Sequence, residues 1–147
     1  MKINFTKKQY ELLIKIVYLG EWMINAHRTK DTYEEYSDLQ NYINSFAKEF
    51  GLEKYIEKGI VKKNKYYTNR LFEEETGIHD FHEEYDDETF WDELIDRLVK
   101  RDFVNAYGVE NIKQMEYEER FEKEDPFIEK YSEEFEKHGI ERLQIKK

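Results

Sequence analysis

Thr89-Phe90-Trp91-Asp92-Glu93-Leu94-Ile95-Asp96-Arg97-Leu98-Val99-Lys100 carries its apolar residues at positions 90, 91, 94, 95, 98 and 99. That spacing returns to one face every three or four residues, the period of an α-helix. On the other face Glu93 precedes Arg97 and Asp96 precedes Lys100 by four residues, pairs that stabilise a helix. The same period recurs upstream. Thr6 precedes Leu13, Ile16, Val17, Gly20, Met23 and Ile24, with Leu12, Leu19, Trp22 and Ala26 widening the stripe. This predicts a central first helix. Gly20 within it costs about 1 kcal/mol against alanine, which predicts a close helix crossing there.

Asp31 or Thr32, with Glu34 or Glu35 three residues on, opens a second helix with Tyr36, Leu39, Ile43, Phe46, Ala47 and Phe50 inward. Asp125-Pro126 reads as a cap followed by proline at the first helical position, starting a helix lined by Phe127, Ile128, Tyr131 and Phe135.

Glycines mark the ends. Gly51-Leu52, Gly59-Ile60, Gly77-Ile78, Gly108-Val109 and Gly139-Ile140 each place a branched apolar residue after glycine. A helix that stops at a left-handed glycine needs that following residue to pack back on its last turn. The partners are Ala47 for Leu52, Tyr55 for Ile60, Val104 for Val109 and Phe135 for Ile140; at Gly77 the partner position is Glu73. The termini alternate instead. Ile3 and Phe5 alternate with Lys2 and Asn4, and Leu143 and Ile145 with Arg142, Gln144 and Lys146, so two terminal strands forming a small sheet are expected. The fold class is mainly α: a single domain over 1–147, a bundle of five or six helices, with that sheet and a basic hairpin near 60–67.

Composition agrees with a folded chain. Charged residues make up 39% of the sequence, which in an aromatic-poor protein would oppose folding. Phe, Trp and Tyr make up 16%, and each ring buries about 150–250 Å². The twelve tyrosines are expected to form the outer layer of an aromatic core. Cysteine is absent, so disulfides, a thiolate nucleophile and Cys-ligated zinc are excluded. No apolar leader begins the sequence and no window approaches the roughly 18 apolar residues of a membrane span, so a cytoplasmic protein with no membrane partner is expected.

Charge is unevenly placed. Glu73 to Asp96 holds twelve acids and no Lys or Arg, leaving 24 bases against 22 acids in the rest of the chain. Just before it, Lys58, Lys62, Lys63, Lys65 and Arg70 stand with no acid among them. The two segments either neutralise each other or leave an acidic face for a partner.

Motifs for phosphate-cradling glycine loops and for a G-x-S-x-G elbow are missing, and Ser37, Ser45 and Ser132 stand in no recognisable nucleophile setting. His138 before Gly139, and His27, read as helix-end caps. In Ile78-His79-Asp80-Phe81-His82-Glu83-Glu84-Tyr85-Asp86 a helix would turn Ile78, Phe81 and Tyr85 inward. His79, His82, Glu83 and Asp86 would then share a neighbouring face able to hold a divalent metal. His79-Asp80 resembles the paired residues of HD-type phosphohydrolases, whose further ligands would fall on His27 and on Asp96 or Asp102; the flanking residues depart from that family.

The segment Glu57 to Thr68, with its Lys-Asn tip and Tyr66-Tyr67, resembles the wing of a winged-helix DNA-binding domain. That resemblance implies nucleic-acid contact through Lys62, Lys63 and Lys65. Only Glu53 to Lys58 separate Gly51 from the wing, too few for a recognition helix, and an acidic chain disfavours nucleic acid.

The leading expectation is a non-enzymatic interaction or regulatory protein without cofactor. Its acidic face, centred on Glu73 to Asp96 and including Glu83, Glu84, Asp86, Asp87 and Glu88 as interaction residues, would meet a basic surface of a protein partner, in one form by mimicking nucleic acid. A metal-dependent enzyme using His79 and His82 is the alternative. The Lys-, Glu-, Ile-, Asn- and Tyr-heavy composition resembles that of AT-rich bacterial or phage genomes.

Overall fold

The computed structural model describes residues 3–60 and 64–144. Its elements in chain order are α1 (Lys7–Asn25), α2 (Glu34–Asn44), β1 (Ile56–Lys58), β2 (Tyr66–Thr68), α3 (Arg70–Thr76), α4 (Ile78–Tyr107), α5 (Val109–Gln114) and α6 (Tyr117–His138), with two 3-10 turns between α2 and β1. This is a mainly α chain with one small antiparallel sheet, as the periodicity predicts. No helix among the described residues is long and apolar enough to cross a membrane. Contacts gather into two compact units, Met1–Glu83 and Glu84–Lys147.

In the first unit α1 begins on a capping box: Thr6 Oγ1 accepts from the Gln9 N–H, and Gln9 Oε1 accepts from the Thr6 N–H. Its buried stripe differs from the expected one. Tyr10, Ile14 and Asn25 are buried, whereas Leu12, Met23 and Ile16 (65% exposed) are not. Apolar residues on α1 cover most of its circumference, so hydropathy alone leaves the inward face undetermined. Polar tips decide it instead. Tyr10 donates its hydroxyl to the Ile43 carbonyl, and Asn25 closes the turn after α1 by accepting from the Tyr33 N–H at 2.9 Å. Nothing lies within 4 Å of a Cβ at Gly20, so the expected close crossing is absent there.

The second helix starts at Glu34, with Tyr33 rather than Asp31 or Thr32 at its N-cap position and no side-chain cap bond. Its inward residues are Asn41 and Asn44, while Tyr36 and Leu39 are exposed. Both asparagines clasp β2: Asn41 Oδ1 accepts from the Tyr66 N–H at 2.6 Å, and Asn44 Nδ2 donates to the Tyr66 carbonyl at 3.1 Å. The strands β1 and β2 pair Ile56 with Thr68 and Lys58 with Tyr66. A hairpin thus forms in the expected region, and Gly59 extends its ladder by donating to the Lys65 carbonyl rather than ending a helix. The terminal strands do not form: Ile3 to Phe5 and Leu143 to Gln144 have no strand structure, and Lys2, Ile145 and Lys146 lie outside the described residues. The core joins Tyr10, Ile14, Ala47, Leu52, Tyr55, Phe72 and Ile78.

Gly51 and Gly77 adopt φ +65° and +60°. At Gly51 the Leu52 N–H reaches back to the Ala47 carbonyl at 2.9 Å, the helix stop its sequence predicts. Gly77 ends α3 although no apolar partner precedes it.

In the second unit, Val99, Tyr131 and Phe135 form the buried cluster, with Trp91, Leu94, Ile95, Leu98 and Phe127 against it. Phe103 is also buried, its ring 5.9 Å from that of Phe127. Phe90, expected inward, is half exposed. The helix α6 starts at Tyr117, and Pro126 lies inside it instead of opening it. An interior proline costs about 3 kcal/mol; the apolar face beyond it, Phe127, Tyr131 and Phe135, anchors the helix through that break. Asp102 accepts from Arg101 Nε at 2.8 Å and from the Tyr131 hydroxyl. The Arg101 bond first, then the Tyr131 one, hold its carboxyl down at about 2.

Candidate interaction surface

The acids of α3 are used by the fold. Asn69 caps α3 by accepting from the Phe72 N–H at 3.1 Å, and the helix then projects three glutamates. Glu73 accepts from the Tyr18 hydroxyl at 3.2 Å and lies 3.5 Å from His79 Nε2. Burial, and then the Glu73 charge, push the Tyr18 phenol up to about 12. Glu74 pairs with Arg70 at 2.7 Å, and Glu75 takes Lys54 and the Tyr55 hydroxyl.

His82 is turned inward with Ile78, reversing the expected arrangement: Phe81 and Tyr85 stand about half exposed, and His82 is buried. Its ring lies flat on Trp22, centroids 3.9 Å apart, and 6.0 Å from Tyr18. An imidazole packs there as an aromatic plate. His82 is thus buried while Glu83 and Asp86 are exposed, and the His79 and His82 rings lie 5.8 Å apart. No group of three His, Asp or Glu side chains among the described residues is placed to hold a metal ion. Of the residues suggested by the HD resemblance, His27 lies exposed in the turn after α1, Asp96 bonds Lys100, and Asp102 bonds Arg101.

From Glu83 to Glu88 every residue of α4 is exposed. Glu83 closes the first unit; Glu84, Asp86, Asp87, Glu88 and Asp92 stand at the start of the second. Among the described residues no Lys, Arg or His nitrogen lies within 4.0 Å of any of these six carboxylates. Asp80 is likewise without an ion pair among the described residues. Pairing resumes only with Glu93–Arg97 at 2.9 Å and Asp96–Lys100 at 2.6 Å, the two pairs read from the sequence. Between the carboxylates, Tyr85 and Phe90 are 52% and 50% exposed.

No family profile, curated protein or solved structure matches this chain.

In the basic segment Lys58, Lys65 and Arg70 each have a partner within the first unit. Lys65 pairs with Asp38 on α2, Lys58 stands over the Tyr66 ring at 5.8 Å, and Arg70 takes only Glu74. Lys62 and Lys63 lie outside the described residues. The segment preceding the hairpin is a 3-10 turn, Glu53–Tyr55, in place of a recognition helix.

Tyr85 and Phe90 are the surface residues that apolar periodicity hides, because it assigns both to the core. The signal that exposes them lies in their neighbours. Phe90 falls between the directions of Glu83 and Asp86 on a helix that turns about 100° per residue, and Tyr85 stands between Glu84 and Asp86 in sequence, in the sector that the acids leave open.

Proposed function

We propose that this chain is a non-enzymatic interaction protein whose α4 segment from Glu83 to Asp92 binds a basic surface on a partner protein. One observation carries the reading: six exposed carboxylates in ten residues without an intramolecular cation among the described residues. Exposed like charges on one helix repel at about 0.2–0.5 kcal/mol per i,i+4 pair. A basic partner removes that repulsion and is steered toward the field. Tyr85 and Phe90 supply what the charges lack, since half-exposed rings are the side chains from which interface hot spots are built.

Charge density favours a partner that ordinarily meets nucleic acid. The six acids from Glu83 to Asp92 fall along about 14 Å of helix axis, roughly one charge per 2 Å, beside one per about 1.7 Å along duplex DNA.

The test immobilises the full chain and, beside it, the variant Glu83→Gln, Glu84→Gln, Asp86→Asn, Asp87→Asn, Glu88→Gln. A basic DNA-binding protein retained by the wild type at low salt should be released as ionic strength rises past about 0.15 M and should not be retained by the variant. Equal retention by both surfaces would remove the proposal.

A further inference from the structure

Away from the acids of α4, the helix α6 leaves an apolar stripe uncovered. Tyr117 is 82% exposed, Phe121 58% and Ile128 38%. They stand at i, i+4 and i+11, in one line about 16 Å long. None of the three belongs to the buried cluster to which α6 contributes Phe127, Tyr131 and Phe135.

The two flanks of the stripe differ in charge. One position on from the three apolar residues stand Glu118, Glu122 and Glu129, and Asp125 falls in the same row. All four acids are exposed, and none has an ion pair among the described residues. On the other flank the bases are spent: Arg120 pairs with Glu124 at 3.6 Å and Lys123 with Glu119 at 2.6 Å. Exposed rings with a polar rim are where interfaces form. A straight apolar line with like charges along one side complements an amphipathic helix whose bases lie beside its apolar face. A second copy of the chain does not supply one, because its α6 carries the same acids and its bases are paired. An anionic membrane surface is repelled by the same row.

We propose that this stripe docks an amphipathic basic helix of a partner protein. The apolar residues of that helix lie against Tyr117, Phe121 and Ile128, and its lysines or arginines face Glu118, Glu122, Asp125 and Glu129. The surface does not depend on the α4 carboxylates.

The experiment titrates the full, ¹⁵N-labelled chain with a synthetic helix of about 14 residues made of leucine and lysine, its leucines all on one face. At low salt it should bind with Kd of about 10 μM or tighter and shift the backbone amides of Tyr117, Phe121 and Ile128. A peptide of the same composition with its leucines scattered should bind at least about ten-fold more weakly. The first peptide should lose about ten-fold in affinity for the pair Tyr117→Gln and Phe121→Gln. It should lose as much for the set Glu118→Gln, Glu122→Gln, Asp125→Asn and Glu129→Gln; both variants change exposed residues and should keep the remaining amide signals in place. The α4 variant Glu83→Gln, Glu84→Gln, Asp86→Asn, Asp87→Asn, Glu88→Gln should show the same α6 shifts, which separates the two surfaces. Shifts confined to Glu83 to Asp92, equal binding of the scattered peptide, or unaltered affinity in either α6 variant would overturn the proposal. So would a chain that dimerises in sedimentation and ceases to on Phe121→Gln, since a second copy would then be the occupant.

Discussion

Phe72→Ala is expected to lower stability by about 3–5 kcal/mol, the cost of deleting a buried ring and leaving a cavity. Phe72 is fully buried, with ring centroids 5.6 Å from Tyr18 and 5.8 Å from Tyr55. It thereby joins α3 to α1 and to the turn before the hairpin. Those two tyrosines in turn bond Glu73 and Glu75, so the cavity would also loosen the acids that the fold uses. Urea denaturation measures the loss as a lower midpoint at constant slope. A change below about 1 kcal/mol would mean that the core of the first unit is drawn in the wrong place.

Asn41→Leu is the second large effect. Leucine keeps the branching at Cγ but is bulkier and makes no hydrogen bonds, so the change removes both the bond to Tyr66 and the Asn41 bond to the Ser37 carbonyl. It leaves the Tyr66 N–H without the acceptor it now has at 2.6 Å, and an unpaired buried donor costs about 1–3 kcal/mol. The hairpin has only three residues in each strand, too few to stand alone in water, so the amides of Tyr66 to Thr68 should lose hydrogen-exchange protection more than those of α1. Equal loss in both places would show that the clasp stabilises the whole unit and not the hairpin in particular.

Some of this was legible in the residues. The helical period of Thr89 to Lys100, the two i,i+4 ion pairs, the Thr6 start and the Gly51 stop follow from spacing and backbone chemistry that act locally. The inward faces were less legible. On α1, leucine and isoleucine occur in most directions, and the choice is made by Tyr10 and Asn25 finding carbonyl and amide partners far along the chain. On α2, Asn41 and Asn44 read as surface residues, and only the arrival of Tyr66 makes them core. His82 is of the same kind: its polarity suggests a ligand, whereas Trp22 receives it as a ring. The candidate surface was read from a count of charges, which survives errors in facing; its aromatic component, Tyr85 and Phe90, was hidden because periodicity assigns both rings to the core.

The central claim is that the carboxylates from Glu83 to Glu88 are not used by the fold. Glu83–Asp87, Glu84–Glu88 and Glu88–Asp92 are like-charged at i,i+4, together unfavourable by about 1 kcal/mol at low salt. Thermal denaturation of the wild type and of the five-amide variant, each at low and at moderate ionic strength, measures this directly. Salt should raise the wild-type melting temperature by a few degrees, and the variant should melt at or above the salt-stabilised wild type and respond little to salt. A variant that melts below the wild type, with salt lowering the wild-type midpoint, would contradict the claim. The acids would then be holding the structure together.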